Sequence, residues 1–399
     1  MPKKILIIPS WYPNSNNELV GTFFREQAHL LNANGFDIKI LFGVENEVGL
    51  FKYLSIRLTQ LFSKKNDLNK TYLKQAPEAF SFPIYHYKKW PEKRQLKSSK
   101  QKYQQAYKAI TTLWQPELIH AQCSAKGGIY AHYLSKKNNI PFVIIEHQIF
   151  LLNYYKKYVQ KGIRDAVENA SKIGAVSYHQ QRCILMNSMD CNPTIIWNLM
   201  DESKFEINTK QTNTKFTILT ISYPHLIKDT ETFFRSLEAF QTICEDNFEA
   251  IIIGNDSFND SSKANSFYFE TLAKKYNVHD SCTFYPQLTR AEINTKLQSC
   301  HVFVSTSVAE TYGVAVREAM LCGKPVIATK SGGVEDSITE ETGVLVNLKD
   351  AKAIAENLLK IKNKELVFSP ETIRNYIIEQ SGRDTFIRTM TDFYNEKKS

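Results

Sequence analysis

Residues 305–320 read STSVAETYGVAVREAM and decide how the second half of the chain folds. The apolar residues that lead into Ser305 are typical of a buried strand, and Gly313 precedes a stretch with helical spacing. The stretch therefore predicts a strand, a short loop that carries Glu310, and a helix that Gly313 opens. Free amides at a helix N-terminus favour negatively charged groups such as phosphates. The amides predicted to face such a ligand are those of Tyr312, Gly313 and Val314.

Two carboxylates, Glu310 and Glu318, lie on either side of this predicted helix start. Carboxylate oxygens accept hydrogen bonds from hydroxyl groups. We therefore interpret Glu310 as a contact to a sugar and Glu318 as a contact to a ribose. The alternative is that both are exposed acids of a surface helix, but the strand end, the glycine and the spacing together favour a ligand site.

Short β-branched runs alternate with helical patterns along the whole chain, which is typical of parallel α/β units. Strands are predicted at 5–9, 37–42, 117–121, 141–146, 173–177, 216–221, 250–254, 283–285, 301–305, 325–329 and 343–346. The 399 residues exceed what one hydrophobic core usually supports. We predict two doubly wound domains, residues 1–195 and 196–375, and a helix at 376–399 that returns to the first domain.

Polar residues and glycines lie at or just beyond the carboxyl ends of the predicted strands. Open parallel sheets bind ligands just beyond the carboxyl ends of their strands, so these residues predict a ligand held between two sheet edges. They are Ser10, Trp11, His120, Glu146, His147, Ser177, Ser222, Gly254, Asn255, Glu310 and residues 331–333. Gly21, in the first predicted strand-to-helix loop, would let the backbone approach a phosphate or an acceptor.

The sequence lacks the motifs that are typical of several other classes of protein. There is no D-x-D pair to hold Mg²⁺ or Mn²⁺, no G-x-G-x-x-G after the first predicted strand and no G-x-x-x-x-G-K-[ST]. This argues against a dehydrogenase and a P-loop ATPase, and no helix-turn-helix or zinc pattern indicates nucleic acid. The seven cysteines form no C-x-x-C pair, which favours reduced thiols in a cytoplasmic protein.

Positive charge is concentrated in residues 51–110, which we call the basic insertion and which carry 14 basic and 3 acidic side chains. Its first part predicts an amphipathic helix with the apolar residues Phe51, Leu54, Leu58, Leu61 and Phe62. The basic residues beside and after it are Lys52, Arg57, Lys64, Lys65, Lys88, Lys89, Lys93 and Arg94. This apolar stripe either packs on its own domain or, with the basic flank, binds an anionic membrane surface.

The stretch ETYGVAVREAMLCGKPVIATKSGGVED, from Glu310 to Asp336, closely resembles the E-x7-E signature of the family-four retaining glycosyltransferases, the group 1 type. The likeness continues in the PSWYP of residues 9–13 with Gly21 and Phe24. It extends to the LIHA of residues 118–121 and the WNLMD of residues 197–201, followed by Phe205. It covers nearly the whole chain except the basic insertion. The resemblance implies the GT-B fold, in which two Rossmann-like doubly wound domains face a central cleft.

The resemblance also implies an activity and a set of site residues. A sugar would pass, with retention of configuration and without metal or cofactor, from a UDP- or GDP-linked donor on the C-terminal domain to an acceptor on the N-terminal domain. The implied catalytic residues are Glu310, Lys228 and His147. The implied donor contacts are Glu318, Gly313, Val314, Tyr312, Ser222, Leu288 and Gly254. Gly21 and His120 would lie near the phosphate or the acceptor.

One departure from the family pattern keeps other functions open. The family's phosphate site pairs an Arg with a Lys about five residues later; here Lys228 matches, but Tyr223 stands in the place of the Arg and Ser222 in that of the preceding Gly. His225 would replace the Arg only partly, because an imidazole is a weaker and pH-dependent cation. The alternatives are a non-catalytic sugar-nucleotide binder or assembly subunit, and an epimerase of the same fold.

The expected acceptor is a glycan or a glycolipid, and the expected process is cell-surface polysaccharide biosynthesis. The protein is expected in the cytoplasm, or peripherally at the cytoplasmic face of the cell membrane through residues 51–110.

The epimerase alternative would need its own acid and base residues, which the sequence does not reveal.

Overall fold

The computed structural model of the protein describes residues 2–13, 21–62, 69–71, 77–187, 189–208, 214–254 and 267–395. The chain divides into two compact units. The first consists of Met1–Leu199 together with Ile387–Ser399, and the second of Met200–Phe386. Within the described ranges, no helix is both long enough and apolar enough to cross a membrane.

The first unit alternates strands and helices. Its strands are β1 (Lys3–Pro9), β2 (Phe36–Val48), β3 (Asn69–Thr71), β4 (Glu78–Tyr87), β5 (Leu118–Gln122), β6 (Phe142–Glu146), β7 (Lys172–Ala175) and β8 (Thr194–Ile195). Its helices are α1 (Thr22–Ala33), α2 (Leu50–Phe62), α3 (Glu92–Ile110), α4 (Ile129–Asn138), α5 (Lys157–Asn169) and α6 (Tyr178–Leu185). A π-helical turn, Ser124–Gly128, precedes α4.

The first sheet has the strand order β3-β4-β2-β1-β5-β6-β7-β8, and every pair is parallel except β3 with β4. The sequence did not predict β4, which contains Pro83, a residue that cannot donate a backbone hydrogen bond. The structure accommodates Pro83 because β3 pairs only with residues 79–81 of β4, whereas β2 pairs with β4 as far as Tyr87. At Pro83, β4 therefore pairs only with β2, because β3 ends before it reaches this residue.

The second unit contains the strands β9 (Phe216–Ile221), β10 (Phe248–Ile253), β11 (Cys282–Tyr285), β12 (Val302–Ser305), β13 (Val326–Thr329) and β14 (Gly343–Val346). Its helices are α7 (Thr230–Ile243), α8 (Tyr268–Lys275), α9 (Arg290–Ser299), α10 (Val314–Leu321), α11 (Ala351–Lys362) and α12 (Pro370–Ser381). The sheet order is β11-β10-β9-β12-β13-β14, and all pairs are parallel.

Among the described residues, a buried hydrophobic cluster packs between sheet and helices in each unit. The predicted α/β class, with two doubly wound parallel sheets, is confirmed. The C-terminal segment is not one helix: Gly382 has an extended backbone that ends α12, and α13 (Arg383–Asn395) follows it. The residues from Ile387 onward belong to the first unit.

Candidate active site

The carboxyl end of β9 begins the candidate site of the second unit. Ser222 follows the strand, donates its amide to the carbonyl of Ile253 at 3.0 Å and shares a 2.9 Å hydrogen bond with the hydroxyl of Thr230. Gly254, at the end of β10, has φ +107°, and a Cβ there would lie 2.1 Å from the carbonyl oxygen of Ser222. The two loops approach so closely that only glycine fits at this position.

Lys228 and Glu310 meet just beyond β9 and β12. The Lys228 Nζ lies 2.5 Å from Glu310 Oε1, and both side chains are 18% exposed. Ser307 donates its hydroxyl to the same carboxylate oxygen at 2.7 Å. Thr306 donates to the backbone carbonyl of Lys228 at 3.1 Å, which fixes the turn that carries the lysine. The sequence named Lys228 and Glu310 separately, and the structure brings them together as an ion pair.

The loop with Glu310 is also held through its backbone. Glu310 donates its amide to the carbonyl of Ser331 at 2.7 Å and accepts from the amide of Gly333 at 2.8 Å. A Cβ on Gly333 would lie 2.1 Å from the carbonyl oxygen of Thr311. The glycines after β13 therefore let two strand-end loops pack backbone to backbone, and this contact fixes the position of the Glu310 loop.

Gly313 caps the start of α10 in the left-handed region, with φ +77°. Below it, the fully buried Arg317 donates hydrogen bonds to the carbonyls of Tyr312 and Gly333, and its guanidinium carbon lies 3.7 Å from the centroid of the Tyr312 ring. Tyr312 is itself buried, whereas Val314 is exposed at the first position of the helix. The contacts of Arg317 therefore hold the start of α10 in place, and the first amides of the helix lie at the edge of the sheet.

Glu318 and Leu288 lie in different segments of the second unit. The Glu318 side chain is 7% exposed, and the Nε of Arg290 lies 3.1 Å from its Oε1. Leu288 is half-buried in the loop between β11 and α9, two residues before Arg290. Arg290, a residue that the sequence did not single out, therefore links the predicted ribose contact Glu318 to the loop that carries the predicted donor contact Leu288.

Tyr223 and His225 occupy the place where a second phosphate cation was expected. The Lys228 Nζ lies 5.3 Å from the centroid of the Tyr223 ring. His225 accepts a hydrogen bond from the Ile227 amide on its Nδ1 at 3.1 Å, so this nitrogen caps its own turn. The imidazole therefore has a structural partner at one nitrogen, and Lys228 is the lysine that this turn offers to a phosphate.

His147 directly follows β6, whereas His120 lies in the middle of β5 and not at the strand end that the sequence predicted, because β5 continues to Gln122. Both histidines are buried. Burial lowers the pKa of His147 to about 3; nearby His120 lowers it too, and a hydrogen bond with Asn198 opposes the shift. Burial also lowers the pKa of His120 to about 3, and its Nδ1 lies 2.8 Å from the hydroxyl of Tyr394. Both imidazoles are therefore neutral at physiological pH.

His147 follows a carboxylate that organises two loops. Glu146 accepts hydrogen bonds from the amides of His147 and Gln148, each at 3.0 Å, and from the amide of Ser124 at 2.8 Å. The Ser124 hydroxyl donates to it as well. The sequence placed Glu146 at a strand end but did not predict this structural role, which fixes the backbone at His147.

Gly21 caps the start of α1 with φ +72°, and a Cβ there would lie 3.0 Å from Cδ1 of Trp11. The ring of Phe24, one turn into α1, lies 4.9 Å from the ring of His147. Gly21, Trp11 and His147 thus belong to one edge of the first sheet. Asn255, also predicted at a strand end, lies outside the described residues.

Known proteins share this fold over nearly the whole chain. The chain is 25% identical over 383 residues to TuaC of Bacillus subtilis (strain 168), covering 92% of this chain and 91% of TuaC, whose name provisionally describes a teichuronic acid biosynthesis glycosyltransferase. Sucrose-phosphate synthase from Thermosynechococcus elongatus is similar in structure, with a TM-score of 0.73, 18% identity and 98% of both chains covered. Anabaena Alr3699/HepE in complex with UDP has a TM-score of 0.73 and 17% identity, covering 98% of this chain and 99% of that chain.

The likeness to these solved structures shows the GT-B fold. Residues 204–381, which include β9 to β14 and the Lys228–Glu310 pair, match the family described as glycosyl transferases group 1. The matched residues lie in the second unit, which is therefore similar to the glycosyltransferases of this family.

Proposed function

We propose that the protein is a retaining, metal-independent glycosyltransferase that acts in cell-surface polysaccharide biosynthesis. It transfers a sugar from a UDP- or GDP-linked donor, without a cofactor, to a glycan or glycolipid acceptor. The observation that carries the proposal is the 2.5 Å pair of Lys228 and Glu310 at the strand ends beside the glycine-opened helix α10. The name of TuaC supports the process, and the complexes of HepE with UDP and UDP-glucose support the type of donor.

In this mechanism the second unit stabilises the charge that grows on the leaving diphosphate. Lys228 has three N–H donors, so it can keep its contact with Glu310 and donate to a phosphate oxygen. The bond between the anomeric carbon and the diphosphate oxygen breaks, and the acceptor hydroxyl bonds to the same face of the sugar. The proton of that hydroxyl passes to the departing diphosphate. A donor placed where charge develops typically contributes about 3 kcal/mol to the transition state.

The two carboxylates have different roles in the proposal. Glu310, which lies next to Lys228 where the sugar is transferred, accepts hydrogen bonds from the hydroxyls of the donor sugar. Glu318, further along α10, accepts from the ribose. The amides of Tyr312, Gly313 and Val314 face the diphosphate, and Leu288, Ser222 and Gly254 line the nucleotide. In the first unit, neutral His147 lies near the reacting sugar, with Gly21 and His120 near the acceptor.

The second candidate function is a non-catalytic sugar-nucleotide binder, and the observation that favours it is Tyr223. The tyrosine stands where the family's phosphate site has an arginine, so the phosphate would have one cation instead of two. A binder would keep affinity for the nucleotide but would lack the second charge that assists departure of the leaving group.

Release of the nucleoside diphosphate distinguishes these functions. UDP- and GDP-sugars are incubated with the protein, with and without membrane glycan acceptors, and free UDP or GDP is measured. We expect release that depends on the acceptor. Tight binding of a nucleotide without release under any acceptor condition would favour the binder.

Chelation tests the role of metal. We expect turnover in excess EDTA to equal turnover without it within about twofold, because the leaving group is stabilised by Lys228 and backbone amides. The measurement is the rate of nucleoside diphosphate release before and after EDTA. Activity that collapses in EDTA and returns with added Mn²⁺ would contradict metal independence.

The acceptor side of the proposal includes a membrane surface. In α2 the side chains of Tyr53 and Ile56 are partly buried, whereas Leu50, Phe51, Leu54 and Leu58 are exposed, Phe51 by 89%. Lys88, Lys89, Lys93 and Arg94 are exposed as well. We propose that this apolar and basic surface lies on the anionic cytoplasmic leaflet, where each basic residue adds about 1 kcal/mol of attraction. Lys64 and Lys65, and the side chains of Leu61 and Phe62, lie outside the described residues.

Co-sedimentation with vesicles tests this surface. We expect binding to vesicles that contain anionic lipid, weaker binding as salt is added, and at least about tenfold weaker binding for Lys88→Glu/Lys89→Glu. Phe51→Ser/Leu58→Ser should also weaken binding, because the apolar contribution is lost.

The matched control is Lys136→Glu/Lys137→Glu, which reverses two adjacent exposed lysines at the end of α4. It should bind like the unchanged protein. Equal binding to neutral vesicles, or an equal loss in both charge-reversal variants, would contradict a specific membrane surface.

A further inference from the structure

The carboxylate of Glu318 is little exposed and has a charged neighbour from another helix. Its side chain is 7% exposed, and the Nε of Arg290 lies 3.1 Å from Oε1. A buried carboxylate is costly unless a cation or several hydrogen bonds compensate for the lost water. Arg290 supplies a positive charge beside this carboxylate, which compensates for its burial and helps to hold Glu318 in place inside the second unit.

Arg290 is itself held in place by its position at the start of α9. The preceding residue, Thr289, caps the helix in a reciprocal arrangement with Glu292: the Thr289 amide donates to Glu292 Oε2 at 2.8 Å, and the Glu292 amide donates to the Thr289 hydroxyl at 3.4 Å. This capping box fixes the backbone from which the arginine extends. The same loop, residues 286–289, carries Leu288. Arg290 therefore connects the loop after β11 with the carboxylate on α10.

We propose that Arg290 is a positioning residue that holds Glu318 in the orientation in which its carboxylate accepts hydrogen bonds from ribose hydroxyls. A carboxylate has about four lone-pair sites, so contact with the guanidinium leaves acceptor capacity for a diol. The guanidinium is planar and permanently charged, so it can hold the carboxylate in one orientation. The consequence is selectivity: the site distinguishes ribonucleotides from deoxyribonucleotides through Arg290. This inference rests on the nucleotide site of the proposed function.

Calorimetric titration with UDP and GDP and with their 2′-deoxy analogues tests the inference. We expect the unchanged protein to bind the ribonucleotide of its preferred base at least about tenfold more tightly than the deoxy analogue, the factor expected for one hydrogen bond to a charged group. Glu318→Gln should reduce this ratio to about twofold or less, because a neutral amide forms a weaker hydrogen bond with the hydroxyl. Arg290→Gln should reduce it to a similar value although Glu318 is present.

A double variant separates positioning from an independent effect. If Arg290 acts through Glu318, adding Arg290→Gln to Glu318→Gln leaves the ribose ratio of the single Glu318 variant unchanged. A merely structural arginine would weaken both nucleotides equally and leave the ratio at its original value. Arg290→Met, which keeps the apolar length of the side chain, is a second variant for the same comparison.

The matched control is Lys296→Gln, which removes a cation from the same helix. Lys296 lies 4.0 Å above the ring of Tyr285 and donates to its hydroxyl at 2.8 Å. Its loss should change the affinity for both nucleotides by the same factor. A full ribose preference in Arg290→Gln would overturn the inference and leave the nucleotide site intact. Failure of the unchanged protein to bind either UDP or GDP would instead contradict the proposed function.

Discussion

Replacement of Lys228 by alanine is expected to lower kcat/KM for sugar transfer by at least about 100-fold. The variant removes a charged donor from the position where negative charge develops, which typically costs about 3 kcal/mol in the transition state. The effect should lie mainly in kcat, since the nucleotide keeps its contacts with α10 and Glu318. Initial rates of nucleoside diphosphate release at several donor concentrations measure both constants.

The chain offers a matched control for this variant. Lys352 and Glu356 form another lysine–glutamate pair in the second unit, at 3.7 Å on the exposed face of α11. Lys352→Ala should leave kcat and KM unchanged, because exposed pairs contribute little. Glu310→Ala should lower turnover and relax the choice of sugar. Turnover of Lys228→Ala within threefold of the unchanged protein would contradict the mechanism.

Replacement of Gly313 by alanine is expected to destabilise the second unit by about 2–5 kcal/mol and to weaken nucleotide binding. Gly313 has φ +77°, where a Cβ costs about 1–2 kcal/mol. The new Cβ would also lie 2.3 Å from Cγ1 of Val334, and overpacking of this kind adds about 1–3 kcal/mol. Urea unfolding and nucleotide titration measure the two effects.

Two further variants separate strain from collision. Gly35 has φ +94° but no atom within 4 Å of the place that a Cβ would take, so Gly35→Ala should show the strain alone. Val334→Ala removes the colliding methyl group and leaves the Val334 Cβ at 3.5 Å, an ordinary contact. It should therefore restore part of the nucleotide binding lost in Gly313→Ala. Equal stability losses in Gly313→Ala and Gly35→Ala would show that the collision is relieved by movement of the loop.

The site was predictable where its residues are close in sequence. Glu310, Gly313 and Glu318 lie within nine residues, and a strand end followed by a helix start determines their relative positions. Arg290 was not predictable in the same way, because it reaches Glu318 from a different helix. No spacing rule connects a residue at the start of α9 with one in α10, and the contact exists only after β11 and β12 have joined the sheet.

The fold shows the same limit. The alternation of apolar runs predicted the parallel sheets. It did not predict β4, because β4 contains Pro83. This proline is tolerated only because β3 is too short to pair with it. The amphipathic pattern at residues 51–62 predicted the helix α2 correctly. It did not reveal that Tyr53 and Ile56 face inward while Phe51 is exposed, because a helix in this sequence has apolar residues on more than one face.

The first unit is built from two separate pieces of the chain, and this has a consequence for biosynthesis. Tyr394 is buried against Phe36 and His120, and Lys3 and Lys172 donate to the last carbonyls of α13. A ribosome synthesises residues 1–199 first. The contacts with α13 can form only later, after the whole second unit has been synthesised. During synthesis the first unit therefore lacks the contacts of Tyr394 until α13 has been made.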